Sequence, residues 1–314
     1  MTEEDKQILK KHLNPKSLED HIKVSKLLSG IIIELIKKHH FDEIYIEEVH
    51  DAKMILQIIH SKLSHILSAC NGVTLIENGI KPVIDPSVHV IIGRNIFETV
   101  VFFNLLYIFY PTKEEKELVY KLWKLSSFKF RSRFAQFAKS EEAKQVIEEE
   151  SKAIKDLELE IRSSQIYLNS SPQSIRQIEQ AIKKKNFWIY IDNGEINTSY
   201  GPQYLCDKMT KDQPVLKEQY TRYSLFTHPS KETVNFFGNI YQNEDSKYFA
   251  GANLRVTNCL ISMFISDYIY LFPACKKTFD EMSKLSQIVC NFYNKQIREE
   301  ATCINETWKV IYEL

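Results

Sequence analysis

The hydrophobic positions of this chain recur at helical spacing along most of its length. Leu18, Ile22, Ser25, Leu28 and the run Ile32 to Ile36 form one stripe, at intervals that place side chains on a single helix face. Ser17 precedes the stripe, with Glu19 and Asp20 in the first turn, so a capped helix is predicted over 17–40. After His39-His40-Phe41-Asp42 the pattern resumes through Ile44, Ile46, Val49, Met54, Ile58, Leu63 and Ile66 until Asn71-Gly72 stops it. That predicts a second helix over 42–70, antiparallel to the first across a short connection. A glycine- and proline-containing connector over 73–85, with room for a short extended piece, leads to Asp85-Pro86, a cap followed by a first-turn proline. From Val88 to Tyr110 the sequence is apolar almost all round, which predicts a central helix covered on every side.

Further helices follow over 113–138, from Ser140 to about Leu168, over 174–185, 198–209 and 214–228, and roughly over 253–272 and 276–300. Phe187 to Ile191 followed by Asp192-Asn193-Gly194 carries the one strand-and-turn signal, enough for a loop or a short hairpin. The reading is therefore all-α: a multi-helix bundle with a buried central helix and at most a short hairpin. One helical domain over 1–314 is expected, its N-terminal helix pair (1–72) packed on the main body (73–314).

Composition agrees with this. Eight glycines and nine prolines in 314 residues are too few for the many tight turns of a strand-rich fold. Lys plus Arg and Asp plus Glu both total 41, so no global field draws the chain to nucleic acid or acidic membranes, and polyanion binding needs a local patch. Six cysteines are scattered without a Cys-x-x-Cys pair, which favours reduced thiols over a zinc or disulfide framework. The acidic N-terminus has no apolar signal core, and the runs Ile96 to Tyr110 and Cys259 to Phe272 are short and hold Glu98 or Asp267. A cytoplasmic protein without a membrane span, metal or cofactor is expected. His50, His60 and His65 lie ten and five residues apart, spacings that do not put metal ligands on one helix face.

Three features carry candidate chemistry. Arg94 and Glu98 are four apart on the most apolar helix, so they share a face; they form either a structural ion pair or part of a cleft. Lys121, Lys124, Lys129, Arg131 and Arg133 are interleaved with Trp123, Phe128, Phe130 and Phe134. Such a stretch can hold phosphates and stack bases, or it can be an amphipathic helix with solvated cations. Arg222 and His228 lie in one helical stretch that Pro229 ends. They are either a site or a helix end whose histidine satisfies carbonyls.

Arg222 and His228, with five residues between them, resemble the signature of the HEPN ribonucleases, an arginine and a histidine separated by four to six residues. Tyr223 stands where that family commonly has a polar residue. The resemblance implies an all-helical, dimeric, metal-independent enzyme whose histidine moves protons at the ribose 2′-hydroxyl and whose arginine stabilises phosphate. A second resemblance is to a family of bacterial helical proteins of uncharacterised activity. It rests on Arg94-x3-Glu98 and on the corner Tyr220, Ser224, His228 and Pro229, and covers roughly residues 73–270. Together these imply a bacterial toxin or defence protein that cleaves or binds RNA, as a homodimer, with Arg222, His228, Arg94 and Glu98 catalytic and Lys121, Lys124, Lys129, Arg131 and Arg133 on the RNA. The alternative is a non-enzymatic helical interaction module.

Overall fold

The structure is a computed structural model, and it describes residues 3–42, 46–73, 83–210, 213–228, 230–240 and 245–313. Ile44, Pro229 and most of the 73–85 connector lie outside the described residues. The described chain is all-α, with fourteen helices and one two-stranded hairpin. It begins with α1 (Glu3–Leu13), α2 (Leu18–His39), α3 (Glu47–Ala69) and α4 (Pro86–Asn104). A π-helical turn (Leu105–Phe109) leads to α5 (Lys113–Arg131), the 3-10 segment Ser132–Phe137, α6 (Glu141–Ser163), α7 (Gln165–Leu168) and α8 (Pro172–Lys184). The hairpin β1 (Tyr190–Asp192) and β2 (Glu195–Asn197) follows, then α9 (Pro202–Thr210), α10 (Gln219–Thr227), α11 (Lys231–Ile240) and α12 (Asp245–Leu271). The chain closes with α13 (Ala274–Asp280), α14 (Lys284–Lys295) and two 3-10 segments, Glu300–Thr302 and Glu306–Glu313.

The chain forms two compact units, one of Met1–Asn104 with Cys206–Leu314 and another of Leu105–Leu205.

In the first unit α12 packs against α2, α4 and α14, while α3 and α10 both lie on α4. Every residue of α12 from Val256 to Ile269 is buried. That burial is possible because several of its polar side chains have partners. Ser25 of α2 donates to Asn258 Oδ1 at 2.6 Å. Asp267 accepts from Arg298 at 2.6 Å and from Asn104 Nδ2 at 2.7 Å. The α4 helix is central but not covered on every side, since Val88 and Ile91 are exposed; apolar composition all round does not guarantee cover all round. The helical run from Pro86 extends to Phe109, 24 residues in all, and takes in nearly all of the apolar stretch from Val88 to Tyr110. By length and composition it could cross a membrane, yet 61% of its most apolar window is buried within the protein, the condition of a core helix.

Local chemistry sets several helix starts. Ser17 and Asp20 form a reciprocal capping box on α2, as Thr112 and Glu115 do on α5, each satisfying two backbone N–H groups that the helix cannot. Ser140 caps α6, and Ser171 caps α8 with Pro172 following it. In the second unit Asn193 and Gly194 take positive φ, 49° and 81°, the geometry of a two-residue turn whose twist matches the strands. The strand begins at Tyr190 rather than Phe187. Tyr110 fixes the hairpin, donating to the Ile189 carbonyl at 2.7 Å and accepting from Ile191 N–H.

Candidate functional site

The α10 helix presents two faces to two different environments. It starts at Glu218, a non-glycine residue at φ 58°, and Arg222 N–H closes the first turn on the Glu218 carbonyl at 2.9 Å. One face carries Tyr220 and Tyr223 onto α4. Arg94 Nε donates to Glu98 at 2.9 Å, and its Nη2 donates to the Tyr220 hydroxyl at 2.5 Å. The guanidinium also lies 4.5 Å from the Tyr220 ring centre. Burial opposes the Arg94 charge, but Glu98 and Tyr220 outweigh it and raise its pKa. Burial likewise raises the Tyr220 phenol, with Glu98 adding to the rise and Arg94 opposing it.

Lys62 of α3 stands beside this cluster, donating to Thr99 at 2.7 Å. Burial lowers its pKa while Glu98 holds it up. The pair is only half-buried, with 21% of the Arg94 and 32% of the Glu98 side chain exposed. Below it the Tyr223 ring is fully buried and closes on Gly93, where a Cβ would meet the Tyr223 hydroxyl at 3.2 Å. A Cβ there fits only if the Tyr223 ring gives way by a few tenths of an ångström.

Arg222 lies about 200° round the helix from Tyr220, so it leaves the Arg94 cluster and lines a cavity that Tyr223 also borders. There α10 and α12 enclose a cavity of about 500 Å³. Arg222 and Arg255 both line it, both are exposed, and neither forms an ion pair among the described residues. Asn253 also lines it and is 6% exposed, and its amide Nδ2 has no hydrogen-bond partner among the described residues. The remaining wall is largely apolar, including Val90 of α4, Phe226 of α10, and Phe249 and Val256 of α12. No Asp or Glu among the described residues lines the cavity.

The sequence-derived candidates thus fall into separate places. Arg94 and Glu98 meet the α10 segment, but through Tyr220. No hydrogen bond or ion pair joins them to Arg222 or His228 among the described residues. His228 caps the α10 C-terminus in extended geometry, exposed, and is not among the residues lining the Arg222 cavity. Arg255, Asn253 and Lys62 escaped sequence reasoning. The available signal was the one that singled out Arg94: a charged or amide side chain interrupting an apolar helical pattern.

In the second unit, the basic stretch of α5 meets the acids of α6. Lys129 pairs with Glu158 at 2.5 Å, Arg131 with Glu150 at 2.6 Å and Lys121 with Glu160 at 3.2 Å. Lys124 is half-buried on the same helix. Arg133 lies over the Phe130 ring, and Phe130, Phe134 and Phe137 are exposed. Much of the positive charge read from the sequence is therefore neutralised within the unit. Among the described residues, no three His, Cys, Asp or Glu side chains gather where one metal ion could be held. The six cysteines are free, and burial pushes the Cys303 thiol up to about 11. Comparison of the chain with known protein families, curated proteins and solved structures gives no match.

Proposed function

We propose that the protein is a non-enzymatic helical binding module that holds an anionic group between Arg222 and Arg255. The observation that carries this reading is two guanidinium groups, without ion pairs among the described residues, on one cavity that no described carboxylate lines. A single exposed arginine is ordinary. Two on one concave, acid-free surface focus positive potential where an anion can reach several donors at once. The test is thermal unfolding at matched ionic strength with a panel of carboxylates and phosphates against sodium chloride. A ligand that binds only the folded chain stabilises it by about 2.7 kcal/mol at a hundredfold excess over Kd. At least one anion should stabilise the wild type saturably, and the double variant Arg222→Ala, Arg255→Ala should lose most of that gain. Equal stabilisation of the variant would sink the proposal.

A second reading keeps Arg222 and His228 as a metal-independent RNA-cleaving pair. It is favoured by both side chains being exposed, with no ion pair, on one helix and its cap. His228 would move the proton at the ribose 2′-hydroxyl and Arg222 would stabilise phosphate charge. Single-stranded RNA incubated with chelator should then be cut to 2′,3′-cyclic phosphate ends. His228→Ala should slow cleavage on the order of 10²–10⁴-fold, and a wild type that cuts no RNA eliminates this reading.

A further inference from the structure

We infer that the cavity between α10 and α12 takes a small organic acid with an apolar body, its carboxylate at Arg222 and Arg255 and its hydrocarbon part against Val90, Phe226, Phe249 and Val256. This rests on the anion-binding reading above and names its ligand class. A volume of about 500 Å³ falls within the range of small-molecule sites, roughly 300–1,000 Å³. The lining then decides among anions of that size. A free phosphate would use the two guanidinium groups but leave the aliphatic and aromatic wall in contact with water. A polynucleotide presents phosphates in series and requires a row of cations to follow them, whereas Arg222 and Arg255 are the only charged residues among the described lining.

An apolar chain ending in a carboxylate matches both parts. Its methylenes displace water from the wall, and its two oxygens accept from planar guanidinium donors.

The experiment is isothermal titration of the full chain with a straight-chain series from acetate to decanoate, with decanol and inorganic phosphate as the matched probes. Acetate should bind weakly, and each added methylene should tighten binding by about fourfold until the cavity is filled. Decanol should bind far more weakly than decanoate. Arg222 and Arg255 are exposed, so Arg222→Ala and Arg255→Ala should fold. Each should weaken decanoate about tenfold or more while leaving decanol unchanged. Phosphate or acetate binding as tightly as decanoate would overturn the inference while leaving the anion-binding reading standing. Decanoate binding that neither arginine variant alters would place the ligand elsewhere and overturn it too. If none of the anions binds, both readings fall together.

Discussion

Two ion pairs in the first unit show how burial, rather than distance, decides what a charge contributes. Asp267 and Arg298 meet at 2.6 Å with side chains only 4% and 7% exposed. Asn104 and Asn294 occupy further hydrogen-bonding capacity. Removing one partner leaves the other buried and unpaired, so Asp267→Ala should cost about 3–5 kcal/mol in urea unfolding. The Arg94–Glu98 pair, at 2.9 Å, is only half-buried. Water reaches it, so Glu98→Ala should cost only about 1 kcal/mol; a reversed order of the two variants would refute the argument.

Histidines give the pH dependence at the same scale. His89 is fully buried, and burial lowers its pKa, with the Ala69 carbonyl and Asp85 opposing. His21 is lowered by burial first and by Arg255 second, with Asp20 opposing. Below the unfolded value near 6.5, the unfolded chain takes up protons that the folded chain refuses. Stability is therefore complete above about pH 6.5 and falls as pH drops toward the folded values. Tm should decline from pH 7.5 to pH 5, and the double variant His21→Gln, His89→Gln should flatten that decline. An unchanged slope would mean other groups carry it.

At the scale of elements, the seating of α10 on α4 turns on Gly93 and Tyr223. An alanine in a helix interior gains about 1 kcal/mol over glycine. Its Cβ at 3.2 Å from the Tyr223 hydroxyl forces a shift of a few tenths of an ångström in a fully buried ring. Overpacking of that kind costs roughly 1–3 kcal/mol, so Gly93→Ala should come out between neutral and about 2 kcal/mol destabilising. Gly93→Leu gains no more helix propensity and adds three carbons, so it should be clearly worse. The discriminating measurement is hydrogen exchange of α10 amides, which should accelerate more than those of α12. Uniform acceleration would show that the contact is not local to α10.

At the scale of the whole molecule, Leu105–Leu205 is one continuous stretch with a core of its own. Leu118, Val119, Leu122, Leu125, Ile161 and Ile178 are buried in it. Its hairpin is held by Tyr110 and by Ser174, which accepts from Ile196 N–H at 2.9 Å. The excised segment should give a helical circular-dichroism spectrum and a single cooperative thermal transition. A broad, non-cooperative melt would mean that this stretch depends on the remainder of the chain for its fold.

The properties that the sequence determined by itself are those fixed within a few residues. Helical periodicity gave the all-α class, Ser17 and Ser140 marked helix starts, and Asn193-Gly194 marked the turn, because capping and turn geometry are satisfied locally. Local spacing also put Arg94 and Glu98 on one face, and they do pair. Which charges remain available depends instead on how the helices pack. The α5 cations meet carboxylates of α6, with Lys129 reaching Glu158, and Arg298 reaches Asp267 across 31 residues. Arg222 and Arg255, from separate helices, are left on one cavity without an acid. Pairing and burial depend on which helices pack together, and packing is set by the complementarity of whole faces rather than by the spacing along any one of them.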